Sequence, residues 1–418
     1  MYRYRFPLLL LFITATFASL PASVTLRAQE VEDTIKIKTR VVFLDALVKD
    51  KKTSLPISNL TTDNFQVLDD GKTRNISYFT REAQARKPLA LILILDLRED
   101  GAGRFLKRTE ILKAMEDELA KLPPGDEVAI MAMDMNNEDE ERLWLTEFTN
   151  DRAKLAAALA RVPAMCVPHE GQPPQTDSTA VAKTNDSVPG KPDDIVETET
   201  IRGRNGGTVI RETHRDGSVN VKRMNKKGDV TIELGDIYDM AAAVKDASRK
   251  AEQTRPNSQL SIVWVSDGIA PIFFEDRDAS EQILIRHNVI FNSLTVELRT
   301  LFKFLLPVGK PIAGWLGMSL YGSAKHLAGR SGGEAVKVGR PKDYGVGLSR
   351  IIGNLTARYS LGFALAEDEI DDGRMHNLEV RVKAQDEKGK NRKLQVSSRQ
   401  GYYMSSTIPK DAAAKAQF

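Results

Sequence analysis

Residues 89–100 read LALILILDLRED, and residues 260–268 read LSIVWVSDG. Both contain short runs of Leu, Ile and Val, which are typical of strands buried on both faces of a parallel sheet. Asp96 closes the first run and Asp267 closes the second. Because ligands of open α/β sheets bind at the carboxyl ends of the strands, the two aspartates predict one shared site at that edge.

The segments around these runs alternate between strand and helix patterns. This alternation predicts a mostly parallel sheet covered by helices, extending over residues 88–357. Helical periodicity is clear at residues 105–122, and Pro123-Pro124-Gly125 ends that helix. Further strands are predicted at residues 126–133, 142–145, 259–266 and 288–296, and further helices at residues 151–159, 236–253 and 341–357.

A polar segment, residues 163–228, interrupts the alternation. It has few large apolar residues, so we expect no core of its own. Within it, GTVIRETHRDGSVNVKRM alternates around Asp216-Gly217, which predicts an exposed hairpin at the end of a mobile loop. The segment either contributes to binding, as inserted loops often do, or is a disordered insertion without function.

The two ends of the chain carry strand patterns of their own. Residues 34–82 predict a small β unit with a hairpin turn at Asp69-Asp70-Gly71-Lys72, and residues 359–405 return to β alternation. Each set of strands must bury one face, so we expect them to combine into one small β-sandwich beside the sheet domain. Residues 406–418 are predicted to be a flexible tail.

Residues 1–28 have the pattern of a signal peptide. Tyr2-Arg3-Tyr4-Arg5 forms a basic start, residues 6–20 are almost wholly apolar, and small residues follow as cleavage positions. This predicts export to the periplasm or secretion, with no stable membrane span once the signal is cleaved; an uncleaved anchor is the alternative. The single cysteine, Cys166, excludes an internal disulfide.

Charge and motifs argue against several functional classes. The chain has 60 Lys and Arg against 57 Asp and Glu, and a formal net charge of +3 gives no reason to expect nucleic-acid binding. HExxH, P-loop and CxxC patterns do not occur, and the five histidines do not cluster at ligand spacing. A non-enzymatic protein is therefore expected. A hydrolase using Asp96 and Asp267 as acid and base is a weaker alternative.

Several segments together carry a family resemblance. They are NLTTDNFQVLDDGKTRNISYF (59–79), the run ending at Asp96, LPPGDEVAI (122–130), LTEFTND (145–151), IVWVSDG (262–268), IGNLTARYSLGFAL (352–365), HNLEVRVK (376–383) and SSRQGYY (397–403). In this order and spacing they resemble the von Willebrand factor A domain, and more closely the VWFA-related Acidobacterial domain family. The resemblance implies a Rossmann-like sheet with helices on both faces and a ligand surface at the edge located above.

In that family the edge usually holds a metal-ion-dependent adhesion site, whose first motif is Asp-x-Ser-x-Ser, with a Thr and an Asp from later loops. Here the first motif is Asp96-Leu97-Arg98-Glu99-Asp100, so both serines are replaced. GDIYD aligns with the usual Gly-Thr-x-x-Tyr-Asp pattern, which puts the lost threonine at or near Gly235. The resemblance therefore implies a degenerate adhesion site with the rim residues Asp96, Arg98, Asp100, Gly235, Asp236 and Asp267.

Arg98 changes what this rim can hold. A divalent cation needs several oxygen ligands, and a guanidinium supplies none; placed between Asp96 and Asp267, it would itself neutralise them through a bidentate fork. The leading hypothesis is a rim without metal or other cofactor that binds a protein or a cell-envelope or surface ligand. In the alternative, Arg98 turns outward and Asp96, Asp100 and Asp267 bind Mg²⁺ or Ca²⁺, with Asp236 as a further candidate. The simplest explanation is that these acidic residues are solvated strand-end and helix-cap groups.

Overall fold

The computed structural model describes residues 40–80, 86–98, 103–133, 142–165, 195–215, 219–235, 240–296, 313–314, 316–319, 322–385 and 389–404. All of them belong to one compact unit, residues 39–418. The predicted signal at residues 1–28 and the predicted tail at residues 406–418 lie outside the described residues.

The strands, in chain order, are β1 Val41–Asp50, β2 Phe65–Asp69, β3 Lys72–Arg74, β4 Tyr78–Thr80, β5 Leu89–Asp96, β6 Glu127–Met133, β7 Arg142–Thr149, β8 Ile195–Arg202, β9 Thr208–His214, β10 Val219–Met224, β11 Val230–Gly235, β12 Gln259–Ser266, β13 Ile272–Phe273, β14 Ile290–Val296, β15 Met318–Ser319, β16 Ala335–Val338, β17 Tyr359–Ala364, β18 Met375–Val382, β19 Leu394–Ser398 and β20 Gly401–Tyr403. The α-helices are α1 Gly103–Leu106, α2 Thr109–Ala120, α3 Arg152–Met165, α4 Met240–Thr254, α5 Phe274–Arg286, α6 Ser323–Ser331 and α7 Tyr344–Thr356. Single 3-10 turns precede β2 and α7.

Six strands form the central sheet, in the order β16-β14-β12-β5-β6-β7. All neighbours are parallel except β7, which runs antiparallel to β6 at one edge. The sequence prediction of a mixed α/β fold with a mostly parallel sheet is therefore confirmed. The predicted edge strand at residues 142–145 is longer than expected, because the pairing with β6 continues to Thr149.

Both faces of the central sheet are covered by helices. Alternate side chains of a strand point to opposite faces, so Leu91 and Leu93 pack into one apolar core while Ile92 and Ile94 pack into the other. The first core includes buried residues of α2, α3 and α7, and the second includes buried residues of α4, α5 and α6. Among the described residues, no helix is both long enough and apolar enough to cross a membrane.

Strands from the two ends of the chain pair with each other in two further sheets, in the orders β19-β1-β17-β4 and β20-β18-β2-β3. The strand β1 lies between two strands from the C-terminal segment, with Leu44 opposite Leu361 and Val48 opposite Val396. Apolar side chains from both sheets share one core. The buried Tyr359 hydroxyl donates to Ile57 O at 2.7 Å, which ties this core to the loop after β1.

A fourth sheet, with the order β11-β10-β9-β8, is entirely antiparallel. The expected hairpin is present as β9 and β10, although its turn residues lie outside the described residues. The hairpin does not stand alone, because β8 and β11 flank it and the sheet extends to Gly235, beyond the predicted end of the polar segment at residue 228. Its small apolar cluster depends on Phe273, from outside the polar segment, which packs with Val209 and Val221.

The contact between this antiparallel sheet and α5 is charged. Arg223 donates to both carboxylate oxygens of Glu275, at 3.0 and 3.2 Å, and Arg211 donates to both oxygens of Asp276 at 2.9 Å. Such bidentate pairs are directional and hold the guanidinium plane in a fixed orientation. The charged pairs therefore align the sheet on a helix face whose buried acidic residues are Glu275, Asp276, Asp278 and Glu281.

Glu281 predicts a loss of stability in acid. Burial raises its pKa, but contacts with His326, Arg204 and Arg330 outweigh burial and lower the pKa from the usual 4.5 to about 2. Since the folded-state pKa lies below the unfolded value, ionised Glu281 stabilises the fold above about pH 4.5. That stabilisation, about 3 kcal/mol, is lost as the pH falls from about 4.5 to about 2.

The measurement is urea denaturation of the wild type and of Glu281→Gln across this pH range. The variant should be less stable at pH 7, and the difference in unfolding free energy should shrink as the pH falls. Glu379→Gln, which removes an exposed partner of Arg381, is the matched control and should show a much smaller change. A difference between wild type and Glu281→Gln that stays constant with pH would contradict the prediction.

Candidate functional site

The carboxyl ends of β5 and β12 bring Asp96 and Asp267 to the same edge of the central sheet. The two strands are parallel neighbours, with Leu95 opposite Val265. Asp96 is the last residue of β5, and Asp267 follows the last residue of β12. The side chains of both aspartates are fully buried. Strand order and direction therefore place the two carboxylates together, independently of the loops around them.

Arg98 lies between these carboxylates. Its Nε donates to Asp96 Oδ1 at 2.9 Å, and its Nη2 donates to Asp96 Oδ2 at 2.8 Å. The same Nη2 is 3.4 Å from Asp267 Oδ1 and donates to the Ile269 carbonyl at 2.6 Å. Only 9% of the Arg98 side chain is exposed. A bidentate pair that is so deeply buried is strong and geometrically specific.

The turn after β12 orients Asp267 and Asp96 further. The Ile269 amide donates to Asp267 Oδ1 at 2.9 Å, and the Ser266 hydroxyl donates to Asp96 Oδ2 at 2.6 Å. Gly268, which lies between Asp267 and Ile269, has a φ of +91°, a conformation that a residue with a side chain rarely adopts. The backbone therefore bends sharply enough to direct an amide and a carbonyl back at the ion pair.

Tyr344, the first residue of α7, contacts the backbone of the rim. Its hydroxyl donates to the Ser266 carbonyl at 3.0 Å. Burial raises the pKa of Tyr344, and the nearby carboxylates of Asp267 and Asp96 raise it further. Tyr344 therefore remains a neutral hydrogen-bond donor at any physiological pH, and it fixes the backbone that carries Ser266.

Helix α1 starts directly against the Arg98 backbone. The Gly103 amide donates to the Arg98 carbonyl at 2.9 Å. A Cβ atom on Gly103 would collide with the carbonyl oxygens of Leu97 and Arg98, so only glycine fits here. This close approach fixes the start of α1 against the backbone of Leu97 and Arg98.

The predicted rim residues fall into three groups. Asp96, Arg98 and Asp267 are in mutual contact. Gly235 ends β11 opposite Asn220, in the antiparallel sheet rather than in the central one. Asp100 and Asp236 lie outside the described residues.

Two further residues take part in the rim, Ser266 and Tyr344, and neither was predicted from the sequence. Ser266 is a polar residue between a buried apolar run and Asp267, and that position is a signal for a hydrogen bond to a neighbouring strand end. Tyr344 gave no such signal, because nothing in its helix pattern indicates that its hydroxyl faces the rim.

The arrangement leaves Asp96 poorly suited to acid–base chemistry. Both of its oxygens accept hydrogen bonds, Oδ1 from Arg98 and Oδ2 from Arg98 and Ser266. A general base or nucleophile must reach a substrate atom directly or through one water, and this carboxylate is buried behind its own donors. In their ordinary charge states, Asp96, Asp267 and Arg98 together carry one net negative charge.

Comparisons with known proteins give low similarity throughout. The VWA domain of SpRpn10 has 10% identity and a TM-score of 0.30, with 64% of this chain and 94% of that chain covered. The pilus adhesin SpaC from Lactobacillus rhamnosus GG, in its open conformation, has 8% identity and a TM-score of 0.34, with coverages of 81% and 47%. A second form of SpaC has 7% identity and a TM-score of 0.32, with coverages of 84% and 50%.

This chain thus spans about half the length of the adhesin it matches. Neither the protein-family models nor the curated proteins include a match to this chain. Similarity at this level assigns no family, ligand or partner.

Proposed function

We propose that this chain is an exported, non-enzymatic binding module of the von Willebrand A type, periplasmic or secreted. It engages a protein or cell-surface ligand at the carboxyl edge of its central sheet, and it does so without a metal ion. The two sheets built from the chain ends would serve as a β-sandwich base for this domain. The observation that carries the proposal is the buried, bidentate pair between Arg98 and Asp96, with Asp267 beside it.

Arg98 supplies to the two aspartates both the positive charge and the contacts that a metal cation would otherwise supply. A divalent ion would bind the carboxylate oxygens that now accept hydrogen bonds from Arg98. The guanidinium adds a positive charge within contact distance of both aspartates, which weakens their attraction for a second cation. Displacing Arg98 would also break its hydrogen bond to the Ile269 carbonyl. We therefore expect the site to be complete without metal.

The edge of the sheet remains suited to a ligand. Ligands of open α/β sheets bind outside the carboxyl ends of the strands, and Asp96 and Asp267 mark that position. The Arg98 pair ties the end of β5 to the turn after β12, since it joins Asp96 to the Ile269 backbone. A partner would then meet a preformed surface, and preorganisation reduces the entropy lost on binding.

Titration calorimetry with Mg²⁺, Mn²⁺ and Ca²⁺ tests the metal-free rim. The wild type is expected to show no binding at the rim, and Asp96→Ala should therefore give the same titration as wild type. Performing both titrations in a His376→Asn background removes a second candidate cation site, described below. Tight Mg²⁺ or Mn²⁺ binding that disappears with Asp96→Ala would overturn the proposal and make Asp100 the candidate replacement ligand.

A further inference from the structure

Three carboxylates and one imidazole meet at the turn between β2 and β3, in one of the two sheets built from the chain ends. Asp69 and Asp70 belong to this turn, and His376 lies on β18. His376 is buried, and its ring stacks on Tyr402 with centroids 5.0 Å apart. Its Nδ1 lies 3.1 Å from Asp70 Oδ2, and its Nε2 lies 3.2 Å from Asp372 Oδ1. Both ring nitrogens therefore face carboxylate oxygens.

Asp69 adds a buried oxygen without a donor. The side chain is 2% exposed, and its Oδ2 accepts from Arg74 at 2.7 Å and from the Tyr402 hydroxyl at 3.0 Å. Among the described residues, its Oδ1 has no hydrogen-bond partner, and it lies 4.0 Å from His376 Nδ1. An unsatisfied buried carboxylate oxygen is costly, so this atom requires a partner in the site.

The tautomer of His376 decides what that partner is. If Nε2 carries the proton and donates to Asp372, Nδ1 presents a lone pair to Asp70 Oδ2, another acceptor. One atom each from Asp69, Asp70 and His376 then converge within 4.8 Å of one another, all with lone pairs. A proton on Nδ1 would satisfy Asp70 and leave Asp69 Oδ1 unsatisfied. A divalent ion would satisfy all three.

We propose that Asp69, Asp70 and His376 bind a divalent transition-metal ion, with Zn²⁺ as the best match. Imidazole combined with carboxylates suits Zn²⁺, whereas Mg²⁺ and Ca²⁺ prefer all-oxygen sites. Asp372 holds the imidazole through Nε2, the role that a carboxylate commonly has behind a histidine ligand. Arg74 and Tyr402 hold Asp69 by the opposite oxygen, so that Oδ1 stays directed at His376.

An ion can reach the site from solvent, and the arginine that contacts Asp70 can move aside. Asp70 is exposed to solvent, so an ion can enter and water can complete its coordination. Arg374 donates to Asp70 Oδ2 at 3.0 Å, but 58% of its side chain is exposed and it can turn into solvent as the ion binds. The proposal does not depend on the function proposed for the rim.

Zn²⁺ titration of the purified, tag-free chain tests this site. We expect one equivalent to bind, His376→Asn to weaken the affinity at least about tenfold, and Asp372→Asn to weaken it by about tenfold to a hundredfold. Asp70→Asn, at an exposed position, should weaken Zn²⁺ binding without affecting the fold. Thermal melts in EDTA check that each variant is folded.

Two matched controls locate the binding. His287→Asn removes a histidine that contacts Glu252 elsewhere, and Asp96→Ala removes the rim carboxylate. Both should bind Zn²⁺ with wild-type affinity. Co²⁺ provides a second signal, because its visible absorption should report a nitrogen and oxygen ligand set and should be lost with His376→Asn. No Zn²⁺ binding by the wild type, or equal affinity in His376→Asn and wild type, would overturn the proposal.

Discussion

Replacing Arg98 with serine is expected to lower the free energy of unfolding by about 3–5 kcal/mol at neutral pH in EDTA, because it leaves two buried carboxylates without their cation. The wild-type side chain is 9% exposed and those of its two partners are fully buried, so little solvent is available to compensate. Urea denaturation of the two proteins measures the difference. Arg98→Lys should fall between them, since lysine keeps the charge but loses the two-pronged fork.

The matched control for this loss is Arg381→Ser. Arg381 also forms a bidentate pair with a carboxylate, but both side chains are more than half exposed, and such pairs contribute little. Adding Mg²⁺ should restore part of the stability of Arg98→Ser, because Asp96 and Asp267 would become available as ligands, and should leave the wild type unchanged. If Arg98→Ser and Arg381→Ser have the same free energy of unfolding, the pair between Arg98 and Asp96 does not stabilise the fold as predicted.

Removing residues 359–418 is expected to unfold the N-terminal strands. The strand β1 would lose both neighbours, and β2 would lose its pairing with β18. The shared core would lose Tyr359, Leu361 and Phe363, among others. Each large buried side chain contributes about 1.5–3 kcal/mol, so the loss is comparable with the whole stability of a typical domain.

Hydrogen exchange of residues 40–80 measures this effect. We expect the slowly exchanging amides of β1 and β2 to lose their protection in the shortened chain. Removal of residues 405–418 alone is the control and should leave protection unchanged, because every strand described above is retained. Persisting protection in β1 after the longer deletion would mean that this segment is stable by itself.

The central sheet could be predicted because its strands are continuous apolar runs, and such runs become buried whatever their partners are. The run in β5 is entirely buried, as its composition indicates. The helix α2 was predictable for a related reason, since its apolar positions follow the helical period. Where burial follows from apolar residues, the pattern in the sequence identifies the element.

The helix α5 could not be predicted in this way, because much of its buried face is acidic. Glu275, Asp276 and Glu281 are almost completely buried, yet in the sequence they look like a solvated surface. Their partners include Arg211 and Arg223, in the polar segment that lacks a core of its own. The charges become compatible with burial only after both segments are folded, so neither segment reveals the contact alone.

The two candidate sites differ in how much the sequence disclosed. Asp96 and Arg98 are two residues apart, and the missing serine at Arg98 was enough to suggest an ion pair. Asp70 and His376 are 306 residues apart, and the Asp-Asp-Gly segment indicated only a hairpin turn. Their proximity follows from the pairing of β2 with β18, which no local pattern encodes.

The position of β1 between two C-terminal strands also governs the order of assembly. Synthesis reaches residues 41–50 long before the flanking partners at residues 359–364 and 394–398. During that interval the central sheet can form from residues 89–338. The strand β1 has neither of its partners, β17 and β19, so both of its hydrogen-bonding edges stay unpaired. Closing contacts over such long separations is intrinsically slow, and an unpaired strand is prone to join other chains. Among the strands described, β1 therefore comes first along the chain but gains its partners last, and until then it is the strand most open to wrong pairing.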